Sequence, residues 1–276
     1  MLRAHRSPYT GSWFPADSCE LRDLAGRLFS QSAARTGKAL LPRPVAFLVP
    51  HAGLIYSGTV AASAYRTIRE HRPARVVILG FSHSRFLHGV AIPDVEAYQT
   101  PLGEIEVDRD AARELAGDSV FHPVSEAAVC DHSLEIQLPL LAEALPGVRV
   151  VPLYVGDLDG VRRREAAQVL ATLIAPDTVL VASSDLTHYG RPFHYVPFPS
   201  DRRVADRLRD LDTGVLEAAG SLDPEMFLHE LDETGATVCG RGPISLLLET
   251  LAQVRTTEIF QQTLDYQTSG EITGDY

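Results

Sequence analysis

Four short apolar runs constrain this chain most: "VAFLVP" (45–50), "RVVILG" (75–80), "VRVVPLYVG" (148–156) and "TVLVAS" (178–183). They are nearly continuous in Val, Ile and Leu and lack the polar alternation of a strand with one wet face. Each therefore predicts a strand buried on both sides. Stretches with helical spacing lie between them: one near Thr59 to His71, "SLEIQLPLLAEAL" with Pro139 kinking it or resetting its start, and "VRRREAAQVLATLIA". Later helices are predicted over 203–219, 223–232 and 242–254. "EIFQQTLDY" reads as an added strand, and "QSAARTGKALLPRP" (31–44) as a loop. Strand, helix and strand in alternation predict one α/β domain over 1–276, with a central mixed, mostly parallel sheet flanked by helices.

Three of these strands end in the same way. "VAFLVP" runs into His51, "RVVILG" into His83, and "TVLVAS" into Asp185 and His188. In an open parallel sheet, ligands bind beyond the carboxyl ends of the strands. Residues far apart in sequence converge at that edge, so titratable groups at three strand ends predict a site there. The plain alternative is that they are polar loop residues, with Asp185 serving a turn and His188 solvated. Three coincident strand ends weigh against it.

Two imidazoles at neighbouring strand ends suggest a metal, which needs a third ligand. Asp185, His188, His132, Glu135 and Cys239 are the candidates. Cys239 precedes a Gly-Arg-Gly-Pro turn and a helix that starts near Pro243. A thiol near a helix N-terminus and beside Arg241 is expected to ionise more readily. In "DHSLEIQLP" (131–139), Asp131 is a natural N-cap and Glu135 suits the first turn of a helix. Neither reading needs catalysis, and both leave His132 unexplained. A hydrolase built on Ser183 or Ser184 with His188 and Asp185 is disfavoured, because those residues crowd one turn and no "GxSxG" elbow is present.

Composition excludes several classes. The formal net charge of −11 opposes nucleic acid, whose binding needs clustered Lys and Arg, and no polybasic run is present to dock on an anionic membrane. No apolar run approaches the roughly 20 residues of a membrane span, and "MLRAHRSPYTGSW" lacks the apolar core of a signal peptide. Three distant cysteines, Cys19, Cys130 and Cys239, do not form a disulfide framework. Each reads by default as a small buried hydrophobe, and a reducing cytoplasm is the expected setting.

Taken in order, "TGSWFPAD", "PHAGLIYSG", "GFSHSR", "DHSLEIQLP", "SSDLTHYG" and "CGRGPI" resemble the MEMO family, whose bacterial and archaeal members are often labelled AmmeMemoRadiSam system protein B. The resemblance runs from about residue 8 to about residue 275. It implies a fold similar to the class III extradiol (LigB-type) ring-cleaving dioxygenases, with the site in a cleft at the strand ends. It also implies His51, His83 and Cys239 as metal ligands, with Asp185, His188 and His132 in the same pocket. Two departures stand out. The family's "SHH" is here His83 followed by Ser84, and the chain stops at "EITGDY" where relatives usually continue into a further short apolar strand.

Two imidazoles and a thiolate suit Fe(II) or copper, and are compatible with Zn(II). The expected function is therefore a mononuclear non-haem metalloenzyme that oxidises a small substrate with O2, with His188 or His132 moving protons. Cys239 stands where a ring-cleaving dioxygenase has a carboxylate, so the reaction need not follow the fold. The alternative is a metal-binding or peptide-binding protein without turnover, since the family's animal members are associated with signalling and phosphotyrosine peptides. The family label further implies a functional link to radical SAM and AMMECR1-like proteins.

Overall fold

The computed structural model describes residues 3–36, 44–254 and 260–276. The first half of the chain forms β1 (Ala4–Arg6), α1 (Ser18–Thr36), β2 (Ala46–Val49), α2 (Leu54–His71), β3 (Arg75–Gly80), β4 (Val90–Pro93), β5 (Ala97–Thr100), β6 (Gly103–Glu106), α3 (Arg109–Leu115) and β7 (Phe121–Val124). Then come α4 (Glu126–Val129), α5 (His132–Glu135), α6 (Gln137–Ala144), β8 (Arg149–Val155), α7 (Gly160–Ala171) and β9 (Thr178–Ser183). A 3-10 turn (Arg191–Phe193) precedes α8 (Val204–Gly220), α9 (Pro224–Thr234), α10 (Arg241–Val254) and α11 (Ser269–Thr273).

The main sheet has the order β2-β9-β3-β8-β4-β7. β2, β9, β3 and β8 are mutually parallel, while β4 pairs antiparallel with β8 and parallel with β7. Residues alternate between two cores, as the two-residue period of a strand requires. On β3, Val76 and Ile78 pack towards α1, α2 and α6, while Val77 and Leu79 pack towards α3, α7 and α10. Both faces are dry, which explains the nearly continuous apolar runs. A smaller sheet, β1-β5-β6, flanks the first core. The architecture is thus the mixed-sheet α/β domain expected from sequence.

Several expectations change. α2 starts at Leu54, five residues before the predicted start, because Leu54 is buried and Gly53 opens the helix directly after the "PHAG" turn. α1 runs through 31–36, which had read as loop. Its polar Ser32 is fully buried and bonds the Ser63 hydroxyl at 2.8 Å, so a polar residue there faces the core. Residues 37–43 of that predicted loop lie outside the described residues. "EIFQQTLDY" forms no strand over 260–266, and its first two residues lie outside the described ones. Phe260 is exposed, and the segment is fixed by side chains, with Asp265 on Arg35 (2.8 Å) and the Tyr266 hydroxyl on Asp212 (2.8 Å). Pro139 resets rather than kinks. It sits in the first turn of α6, where its missing N–H has no intrahelical role, and Ile136 separates α5 from α6. Among the described residues, no helix is long and apolar enough to cross a membrane.

Candidate metal centre

β2, β9 and β3 are consecutive in the sheet and parallel, so their carboxyl ends emerge side by side. His51 follows β2, Asp185 follows β9, and His83 follows β3. The Asp185 carboxylate fastens the first two ends together. Its Oδ1 accepts from the backbone N–H of His51 (2.7 Å) and of Ala52 (3.2 Å).

The tautomer of His51 follows from the hydrogen-bond inventory. The Ser183 hydroxyl has one proton and donates it to the Ser133 carbonyl. Ser183 Oγ must therefore accept from its other partners, Gln137 Nε2 at 2.8 Å and His51 Nδ1 at 3.1 Å. With the proton on Nδ1, His51 Nε2 carries a lone pair, and that atom lies 3.2 Å from Cys239 Sγ. Ser183 is fully buried and bonded on all sides, which removes it as a nucleophile.

Asp131 does the same for the other imidazoles. It caps α5 by accepting from Ser133 N (2.9 Å), and it accepts from both the backbone N–H and Nδ1 of His83 (2.9 Å each). His83 Nε2 is left as the lone-pair atom. His132 Nδ1 lies 3.3 Å from the same carboxylate; its ring stacks on His83 with centroids 4.0 Å apart and meets Trp13 at 4.3 Å with the rings tilted by 41°. Burial works to raise the Asp131 pKa, but the bond to His83 and the backbone donors outweigh it and hold the carboxyl below its usual range.

The donors gather into two groups that share His51: His51 with His83 and His132, and His51 with Asp185 and Cys239. Within each, the ligand atoms lie within 4.8 Å of one another. All the residues predicted from sequence for the site, His51, His83, Cys239, Asp185, His188 and His132, thus lie at one edge of the sheet. His132 stands among the ring nitrogens, and Glu135 faces His5 instead. His51, His83, His132, Asp185 and His188 line a cleft of about 1900 Å3. His188 is held through its backbone by Thr237, and its Nε2 is buried without a hydrogen-bond partner. A buried polar atom of this kind needs a partner, and a ligand can supply it.

Burial lowers the pKa of His51, and takes that of His132 down to about 4, so both rings stay neutral and able to ligate. The sequence expectation for Cys239 is reversed. Burial, with the Asp185 charge nearby, pushes its thiol up to about 12, and Arg241 is paired with Asp232 at 2.6 Å. Ionisation of this thiol needs a cation bound against it. Gly240 is required beside it, because a Cβ there would meet Ser184 Cβ at 2.3 Å. Cys19, also expected to be buried, is exposed.

The depressed imidazoles have a consequence for stability. The unfolded chain, with a His pKa near 6.5, takes up protons that folded His51 and His132 refuse. Their contribution is complete above about pH 6.5 and is lost as pH falls below it, for His132 through a window that ends near pH 4. Urea unfolding of metal-free protein at pH 7 and pH 4.5 is expected to show the loss, and His132→Asn is expected to make it shallower. Equal pH dependence in the two proteins would remove His132 from this account.

A model of the Memo family, described as "Memo-like protein", matches residues 6–276. The chain belongs to the Memo family. Among curated relatives, the Caenorhabditis elegans protein memo-1 homolog is 32% identical over 253 residues, covering 90% of this chain and 71% of that one. Protein MEMO1 of Danio rerio is 31% identical over 257 residues, and that of Homo sapiens 30% over 256, each covering 90% of this chain and 84% of the relative. A crystal structure of an uncharacterized protein from Escherichia coli K12 matches with a TM-score of 0.42 and 19% identity, over 68% of this chain and 79% of that one.

Sequence reasoning passed over Ser183 and Gln137 as supports of a Memo-family site, and read Asp131 as a cap alone. A signal for Asp131 was present, because an N-cap carboxylate followed at once by His132 has a second oxygen to offer. Ser183 and Gln137 left no local signal, since their partners lie 46 and more residues away.

Proposed function

We propose that this Memo-family chain is a mononuclear non-haem metalloprotein that oxidises a small substrate with O2. In this reading His51, His83 and Cys239 hold iron or copper. The observation that carries it is the His51 ring, whose Nδ1 is committed to Ser183 and whose lone-pair Nε2 lies 3.2 Å from the Cys239 sulfur. His51 belongs to both donor groups, and His83 and Cys239 flank it, one from each. Two imidazoles and a thiol form a donor set soft enough for Fe(II) or copper. The bound metal would supply electron transfer to O2 and a positive charge for an ionised substrate oxygen.

The chain's own residues have separate tasks. His188 Nε2, unpartnered and buried at the cleft, accepts a proton from a substrate hydroxyl. His132, stacked on His83 and flanked by Trp13, forms one wall of the pocket and excludes water beside that ligand. Asp185 works through the backbone, holding the turn that presents His51. His188→Asn is expected to keep full metal content and lose about 100-fold or more in turnover. The test loads anaerobically purified protein with Fe(II), copper or Zn(II) in turn and follows O2 uptake with catechols and peptides. Uptake with iron or copper and none with Zn(II) supports the reading. Full loading with no uptake for either redox metal overturns it.

A second reading, a peptide-binding protein without turnover, is favoured by the cleft itself. At about 1900 Å3 it exceeds the roughly 300–1,000 Å3 of ordinary small-molecule sites. It also runs along β2, the outermost strand of the main sheet, a place where an extended peptide can add. Under this reading Cys239→Ser abolishes metal binding and leaves phosphotyrosine-peptide binding intact.

A further inference from the structure

A second group of donors lies where β1 meets the α4–α5 turn. β1 runs parallel to β5 with His5 opposite Tyr98, which brings the His5 ring against α5. There His5, Cys130 and Glu135 place a ring nitrogen, a sulfur and a carboxylate oxygen within 4.8 Å of one another. Glu135 is fully buried. Its Oε1 lies 3.0 Å from His5 Nε2, and its Oε2 has no hydrogen-bond partner. Glu126 Oε2, close enough for its charge to act on both His5 and Cys130, is also buried without one, with an Arg3 nitrogen 3.8 Å away. Cys130 Sγ makes a long contact of 3.9 Å with the Tyr98 hydroxyl and a further side-chain hydrogen bond with Tyr154.

A structural His5–Glu135 ion pair accounts for Oε1 and for nothing else here. It leaves a buried carboxylate oxygen without a partner and a sulfur beside it. One cation answers both. The mixture of nitrogen, sulfur and oxygen excludes Ca2+ and Mg2+, which take oxygen ligands, and matches the ligand types of Zn(II). We propose that His5, Cys130 and Glu135 form a second metal site, for Zn(II) or a similar divalent transition ion, independent of the centre built on His51. The site is structural. It ties β1 to α5, the short helix that begins with His132 and is capped by Asp131.

The test uses Co(II) as a coloured stand-in for Zn(II). In full-length protein carrying Cys19→Ser and Cys239→Ser, Cys130 is the remaining thiol of the three. Anaerobic titration with Co(II) is expected to develop a near-ultraviolet thiolate-to-cobalt band that saturates at one equivalent. Adding His5→Ala is expected to weaken that binding at least tenfold. Cobalt binding without a thiolate band, no binding, or equal affinity after His5→Ala each overturns the proposal. Should the doubly substituted protein fail to fold, cobalt stoichiometry decides, falling by one equivalent between the natural sequence and His5→Ala. An unchanged stoichiometry refutes the site. The result does not depend on whether the His51 centre turns over a substrate.

Discussion

His51→Ala is expected to strip the protein of iron or copper, with a fall in affinity of more than about 100-fold. Loss of a supporting residue around a metal typically costs about 10- to 100-fold, and this change removes a ligand. His51 is also the residue that both donor groups at this edge of the sheet share, so neither group there stays complete after its loss. Cys239→Ser also removes one of three ligands and is expected to cut metal content sharply, whereas His132→Ala touches one group beside the ligands and is expected to weaken binding less. The folding cost is modest, about 1–2 kcal/mol, because Ser183 Oγ keeps its bonds to Gln137 and to the Ser133 carbonyl when the imidazole goes. Elemental analysis after anaerobic loading, beside a thermal melt, checks both parts. The comparison is made on a His5→Ala background, so that the second donor group does not contribute; metal content there unchanged by His51→Ala in folded protein would sink the assignment.

Asp131→Ala is expected to combine the two kinds of damage. It removes a helix cap, leaves the backbone N–H of His83 without its acceptor, and frees the His83 ring to rotate. Loss of the cap together with an unsatisfied N–H costs about 3 kcal/mol in stability. Loss of the carboxylate behind a ligand His lowers metal affinity about 10- to 100-fold. Asp131→Asn separates the effects. Its amide oxygen can still cap α5 and accept from His83 Nδ1, but its NH2 group then faces the His83 N–H, donor against donor. About half the stability loss is expected, with most of the metal affinity kept. The measurements are urea midpoints and metal titrations on all three proteins. If Asp131→Ala matches the unaltered protein in both, Asp131 is a bystander.

The strands at 45–50, 75–80, 148–156 and 178–183 were legible because burial on two faces demands uninterrupted apolar residues, a property each segment shows by itself. α8, α9 and α10 were legible to within two residues of their ends, because apolar residues at helical spacing mark a buried face, whereas the five-residue α11 was not predicted. β4 to β7 were not, being four residues each, too short to display a period. α1 was not predicted, and its last turns read as loop because Ser32 is a polar residue whose burial depends on Ser63, 31 positions away.

The site divides along the same line. Which of His51, His83 and Asp185 meet at one edge was legible in the chain, because a parallel strand that ends in His or Asp delivers it there whatever the rest of the fold does. How each group behaves was settled by neighbours from elsewhere. Helix position and Arg241 argued for a reactive Cys239, yet burial pushes its thiol the other way. Asp131 looked like a cap until folding laid His83 on it, across 48 residues. Solvation and hydrogen-bond partnership are properties of a place in three dimensions, and a linear sequence does not state who the neighbours are.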